Sequence, residues 1–261
     1  MAVKKNHPTV QIHSISCEIT GAVNFNRGIA RILVLPGEII GIETYYAELH
    51  GGIANKYLPE ANEQRILLFT GGTGKIQQDG SSFAIDEFSL FVPDPYREFI
   101  ISSGKEDLRY LEIILHLGTE DLKWLWERED KYPYFIRYTE CREYVDDTKS
   151  GKSINRIILP EDVVPRLCIG SVQTSGPDEV GAHTHPMLEQ LFFGLAGNDV
   201  VVFANDAEAG FLENDLLHIP LGSSHGVKVI AGKELHYVWI DVFHSLDDID
   251  YIRENHFMKD E

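Results

Sequence analysis

Three pairs of landmarks recur in this 261-residue chain at an almost constant spacing. Glu63 and Glu189 each precede an apolar run and a glycine, 126 residues apart. Pro93 and Pro220 each close a run before a short turn, 127 apart. Thr119 and Ser245 each open an acidic segment after the last run, 126 apart. A shared offset of this length marks a duplicated unit. The runs at 31–35, 39–49, 66–69, 90–92 and 110–117 are rich in β-branched, aromatic and aliphatic residues, with Pro36-Gly37 and Gln78-Asp79-Gly80 as turn signals between them. The chain is therefore expected to be all-β and double: a first unit over 1–118, a helix and connector over 119–155, and a second unit over 156–261. Thr119 is the expected N-cap of a helix running to about Lys131, in which Trp124 and Trp126 are expected to pack on the β units.

Chemistry concentrates in the second unit. His183-Thr184-His185-Pro186-Met187-Leu188-Glu189 places two imidazoles two residues apart, hence on one side of a strand, and a carboxylate four residues later. Pro220-Leu221-Gly222-Ser223-Ser224-His225 is a turn followed by a third histidine. Three imidazoles and one carboxylate suit Mn, Fe, Co, Ni or Zn better than Ca or Mg. His183, His185, Glu189 and His225 are thus the expected ligands of one divalent transition metal per chain. Leu191 and Phe193, sharing Glu189's parity, are the expected apolar wall of the pocket, and Gln190 is expected to face outward. On the last strand Tyr237, Trp239 and Asp241 share a parity that is read as inward. Trp239 is expected to line the pocket, with Asp241 and Tyr237 as acid–base candidates and His218 as a further pocket group. His50, His116 and His236 carry no spacing signal.

A formal net charge of -18 disfavours a phosphate backbone as partner, so no nucleic acid is expected. No stretch has membrane-spanning length, and Met1 to His7 is basic without an apolar segment behind it. Cys17, Cys141 and Cys168 show neither disulfide nor metal-ligand spacing. The expectation is a cytoplasmic protein with a small-molecule substrate, and pairing of barrel edges would make it a homodimer.

These residues resemble the cupin superfamily. Its first motif, a glycine, His-x-His, a glutamate and a glycine, reads here Gly176, His183, His185, Glu189, Gly197. Its second, a glycine and Pro-x-Gly-x-x-His, reads Gly210, Pro220, Gly222, His225. The resemblance implies a double-stranded β-helix, a small jelly-roll barrel with the metal inside, and for the whole chain a bicupin. The first unit looks like a degenerate copy: the 126 offset gives Tyr57 and Pro59 for the His-x-His, counting from Pro93 gives Glu98 for His225, and only Glu63 survives. That unit is accordingly expected to be metal-free. His-x-His-Pro followed by Glu-Gln, with Ile240-Asp241-Val242-Phe243 near the end, also looks like cupins that act on unsaturated sugar acids. What the resemblance implies is a metal-dependent enzyme on a small polar substrate, a sugar or sugar acid, by isomerisation or ring opening. Two alternatives share the same ligand set: an Fe or Mn dioxygenase, and a non-enzymatic small-molecule-binding bicupin.

Overall fold

The computed structural model describes residues 12–19, 28–146 and 149–249. The basic start, Met1 to His7, and Asp250 of the final acidic segment lie outside them. In chain order the strands are β1 (His13–Ser16), β2 (Ile29–Val34), β3 (Ile42–Leu49), β4 (Ala54–Tyr57), β5 (Glu63–Gly71), β6 (Gly74–Gln78), β7 (Ser81–Ile85), β8 (Ser89–Val92), β9 (Phe99–Ser103) and β10 (Leu108–His116). Helix α1 (Thr119–Trp126) follows, then β11 (Tyr134–Arg137) and β12 (Arg142–Tyr144). The second series is β13 (Ile154–Val164), β14 (Leu167–Ser175), β15 (Asp178–His183), β16 (Leu188–Gly194), β17 (Asp199–Ala204), β18 (Ala207–Leu212), β19 (Asp215–Ile219), β20 (His225–Val229) and β21 (Glu234–Phe243).

The duplication is written into the sheet order. One sheet runs β8-β5-β10-β3-β2 and its counterpart β19-β16-β21-β14-β13. The two smaller sheets run β4-β9-β6-β7 and β15-β20-β17-β18. The same hairpin recurs as well. Asp79-Gly80 joins β6 to β7 with both residues at positive φ, the conformation that matches strand twist, and Asn205-Asp206 joins β17 to β18 with Asn205 at φ 51°.

Three strands fall outside the repeat and shift the expected boundaries. β11 extends the first large sheet at β8 and β12 extends the second at β13, so the connector belongs partly to each unit. β1 crosses to the second unit and pairs with β19, His13 opposite His218, so a first unit ending at 118 does not keep all of its own residues. These additions cover edges that would otherwise expose unpaired N–H and C=O groups.

Each barrel has its own interior: Leu67, Phe69, Phe91 and Ile101 fill the first, and Val172, Phe192, Val202 and Leu217 the second. A third apolar layer draws on both units, with Ile66, Leu68 and Ile113 from the first and Leu191, Phe193 and Ile240 from the second. The large sheets are therefore buried on both faces. That explains why β10 and β21 read as nearly unbroken apolar runs rather than alternating ones.

Helix α1 is shorter than expected, and Gly118, not Thr119, is its N-cap: the Gly118 N–H donates to Asp121 Oδ2 at 2.8 Å. Asp121 also accepts from Nε and Nη2 of Arg166, each at 2.9 Å, which ties the helix to the β13–β14 turn. Trp124 packs on the shared layer, but Trp126 is 67% exposed, contrary to expectation. No helix among the described residues is long and apolar enough to cross a membrane.

Candidate metal centre

His183 closes β15 and His225 opens β20, and the two are paired residues across the sheet. His185 lies just beyond β15, where Pro186 takes the chain out of the strand. The Gly222 N–H donates to the His185 carbonyl at 3.2 Å, joining the Pro220–Ser223 turn to this segment, and Gly222 holds φ +71° there. The result is one cluster. Ring centroids lie 4.4 Å apart for His183 and His225, 4.9 Å for His183 and His185, and 5.5 Å for His185 and His225. One nitrogen of each ring lies within 4.8 Å of the other two.

The backbone fixes the ring tautomers. His183 Nδ1 donates to the Gly181 carbonyl at 2.8 Å, and His225 Nδ1 donates to the Ser223 carbonyl at 3.0 Å. Each then carries a lone pair on Nε2, the arrangement by which an outer carbonyl orients a ligating histidine. His225 is buried, and its Nε2 has no hydrogen-bond partner. Burial, and then the neighbouring His183, push its pKa down to about 4. It is therefore a neutral imidazole at physiological pH, the form a metal requires.

Glu189 does not join the cluster. Strand β16 puts Leu188 and Phe192 into the barrel interior, and Leu191 and Phe193 into the layer between the units. Glu189 shares the outer parity. His218 Nε2 lies 2.9 Å from its Oε2, and His244 approaches its other oxygen at 3.7 Å. His218 in turn faces Glu38 at 3.0 Å, and Glu38 meets His13 of β1. Leu191, Phe193 and His218 thus leave the expected pocket together, because successive strand residues point to opposite faces.

Gln190 takes the inward place that the sequence reading denied it. Its Nε2 donates to Asp241 Oδ1 at 2.7 Å across the paired strands, while its Oε1 is buried without a partner. The parity read for β21 holds: Tyr237 and Trp239 belong to the inner core, and the Tyr237 ring lies 4.7 Å from that of Phe192, itself 6.0 Å from His225. Trp239 lies over Gly170, where an added Cβ would meet its ring at 2.2 Å. Burial raises the Asp241 carboxyl to about 7, opposed by the Gln190 bond and by Lys149. Lys149 comes from the connector, bridges to Val180 of β15 and pairs with Asp146. Sequence reasoning missed Gln190, Phe192 and Lys149. For Gln190 the available signal was its place five residues after His185 and one after Glu189.

The first barrel holds different chemistry. Tyr57 and Phe99 occupy the paired positions that His183 and His225 hold in the second, stacked at 4.8 Å, so Phe99 rather than Glu98 is the counterpart of His225. Glu98 lies at 2.7 Å from Lys56. Inside, Glu112 accepts from Arg31 Nε at 2.6 Å and from Arg65 Nη1 at 2.5 Å, and Glu63 contacts Arg65 at 3.3 Å. A further group of possible metal-binding side chains, Glu48, His50 and Asp107, lies at the rim of this unit, with Asp107 accepting from the Gly51 N–H at 2.8 Å.

No known family model matches the chain, and no curated protein matches it. Solved structures do. A protein from Pseudomonas aeruginosa described as glyoxylate-induced matches at 13% identity and TM-score 0.70, over 90% of this chain and 93% of that one. A cupin 2 conserved barrel domain protein from Leptotrichia buccalis matches at 13% identity and TM-score 0.63, over 90% and 98%. An oxalate decarboxylase of Bacillus subtilis matches at 14% identity and TM-score 0.67, over 92% and 78%. At such identities the likeness is one of architecture: the chain has the all-β fold of the cupin superfamily.

Proposed function

We propose that the second barrel is a metal-dependent active site for a small polar substrate, with sugar or sugar-acid isomerisation or ring opening as the reaction class. The observation that carries this reading is the His183–His185–His225 cluster, in which the buried Nε2 of His225 has no partner within the protein. A buried acceptor left unpaired is costly, and a bound cation removes that cost. The donor set fits: three imidazole nitrogens suit Mn, Fe, Ni or Zn. A divalent ion held there would supply Lewis acidity toward a substrate hydroxyl or carbonyl oxygen. Asp241, partly protonated near neutral pH, gives or accepts the proton that such a rearrangement moves. Phe192, Tyr237 and Trp239 keep water from the reacting group, and the Gln190 amide holds Asp241 in place.

The test is elemental analysis of protein purified without a metal-affinity tag, beside a His183→Ala/His225→Ala variant. About one equivalent of Mn, Fe, Ni or Zn in the parent, lost in the variant, is the expected result. Iron together with oxygen consumption would move the reading to a dioxygenase. Absence of metal from both proteins after reconstitution would remove the enzymatic reading and leave a binding barrel.

A further inference from the structure

The second barrel also carries a groove on the outer face of its small sheet. Val202 and Val227 fill the barrel interior, so their neighbours Val201, Phe203 and Lys228 face outward. Together with Gly210 and Leu212 of β18 these line a cavity of about 620 Å³. Val201 stands between Lys228 on one paired strand and Gly210 on the other, and a Cβ at Gly210 would meet no atom within 4 Å. Gly210 is not among the glycines at positive φ, so the backbone does not call for glycine there, and what the missing side chain leaves is space. Val201, Leu212 and Ile230 are 43%, 51% and 60% exposed around it. The duplicated unit supplies the comparison. On its matching sheet the outward positions are Lys75, Gln77, Ser82, Ala84 and Ser102, with Ile100 as the one large apolar residue. The apolar floor therefore belongs to this barrel and is not imposed by the fold.

We infer that this groove is a binding site for a linear aliphatic diamine, an apolar chain with a cationic group at each end. Its volume is that of a small-molecule pocket, whereas a second copy of the chain would engage about 20–30 residues a side. Charge fixes the two ends. Lys233 pairs with Asp199, and Lys228 stands opposite Glu179 on the paired strands. The carboxylates of the groove that no lysine answers are Glu208, opposite Phe203, and Asp215, which lies beyond Leu212 and accepts its N–H at 2.8 Å. Glu208 and Leu212 are four positions apart on β18, about 13 Å of strand at about 3.3 Å per residue. Val201 and the open space at Gly210 lie between them. A polymethylene chain covers that floor while its ammonium groups reach one carboxylate each. The net charge of -18 attracts cations generally, but it does not set this spacing or this floor. The groove is independent of the metal centre, since His225 shares the inward parity of Val227, on the opposite face of the same sheet.

The experiment is isothermal titration calorimetry on the full chain at physiological ionic strength. The probes are octane-1,8-diamine, propane-1,3-diamine, which has the same charge and is too short to span the floor, and octan-1-amine, which keeps the chain and loses one charge. The long diamine is expected to bind at one site per chain, with the short diamine at least tenfold weaker and octan-1-amine about fivefold weaker, the scale of one exposed ion pair. Gly210→Leu fills the open space without altering charge and should weaken the long diamine at least tenfold. Glu208→Gln should weaken it about fivefold, and it carries the test if a thermal melt shows the leucine variant unfolded. Equal binding of the two diamines, or parent affinity in a folded Gly210→Leu protein, would mean counterion association with the acidic surface and would overturn the inference, as would no binding at all. A parent that sediments as a dimer and becomes a monomer on Gly210→Leu would assign the groove to a second copy of the chain, which also overturns it.

Discussion

Replacing Glu112 by glutamine should destabilise the first barrel more than any single surface change, and the structure gives the scale. The Glu112 side chain is completely buried, and both of its oxygens are committed, one to Arg31 and one to Arg65. The amide keeps the shape but removes the charge that holds two guanidinium groups side by side. Breaking a buried ion pair by removing one partner costs about 3–5 kcal/mol. Two features bring the figure to the lower end. The Arg31 side chain is 32% exposed and stacks on the Tyr45 ring at 3.3 Å, so water and the ring can take it up. Arg65 retains Glu63 at 3.3 Å. A loss of about 3 kcal/mol corresponds to a fall in Tm of about 6–12 °C for a protein of this size. Thermal melts followed by circular dichroism would read it, beside Arg31→Gln, which removes the more exposed partner and should cost about 1 kcal/mol. A Glu112→Gln protein melting within 2 °C of its parent would refute the view that this ionic cluster fills the first barrel.

Two further outcomes can be checked directly. Burial pushes the Cys17 and Cys141 thiols up to about 12 and the Cys168 thiol well above its ordinary value, so none supplies a thiolate at pH 8; an aromatic disulfide reagent should label fewer than one thiol per native chain and all three in denaturant. Burial also lowers the proton affinity of His236, whose Nε2 meets the Tyr138 hydroxyl at 3.1 Å. Its folded pKa lies below the unfolded value of about 6.5, so the unfolded chain binds more protons and stability falls as pH drops below about 6.5. His236→Gln should flatten that part of the stability profile, measured by urea titration at successive pH values, and an unchanged slope would count against the assignment.

Much of the fold could be read from the sequence because turns and duplication are local signals. Asp79-Gly80 can hardly be anything but a tight hairpin, and the spacing of landmarks predicts two equivalent units, which the sheet orders repeat. The three histidines were equally legible from their spacing, although only His183 lies within β15 and His185 reaches the cluster from just beyond it. The facing of β16 was not. Leu188, Leu191, Phe192 and Phe193 are all buried because this sheet is covered on both faces, so apolar periodicity carries no information about which face Glu189 or Gln190 takes. The choice is made by pairing with β21, more than forty residues later, where Gln190 stands opposite Asp241. The 126-residue offset compounded the error. It aligned Glu63 with Glu189, although Glu63 shares the inward parity of Leu67 and Phe69 whereas Glu189 shares the outward parity of Leu191 and Phe193. The crossing of β1 to β19 was invisible for a related reason: four exposed residues pair with a strand some 200 positions away.

The two barrels share a backbone plan and differ in which polar groups they bury. In the first, Glu112, Arg31, Arg65 and Glu63 pair with one another, and the Tyr57 and Tyr110 hydroxyls meet at 2.5 Å. A network of this kind needs a precise sheet geometry to keep its members paired. In the second, His225 Nε2 and Gln190 Oε1 are buried with no partner. Natural proteins keep few such groups, and each lowers the stability of the chain that carries it. The first unit has unpartnered buried atoms of its own, Gln64 Oε1, Thr70 Oγ1 and Ser89 Oγ, but no unpartnered imidazole, and it shares an apolar layer with the second, against which β16 and β21 are pressed. One unit can thus hold the strands on which the other presents its open donors.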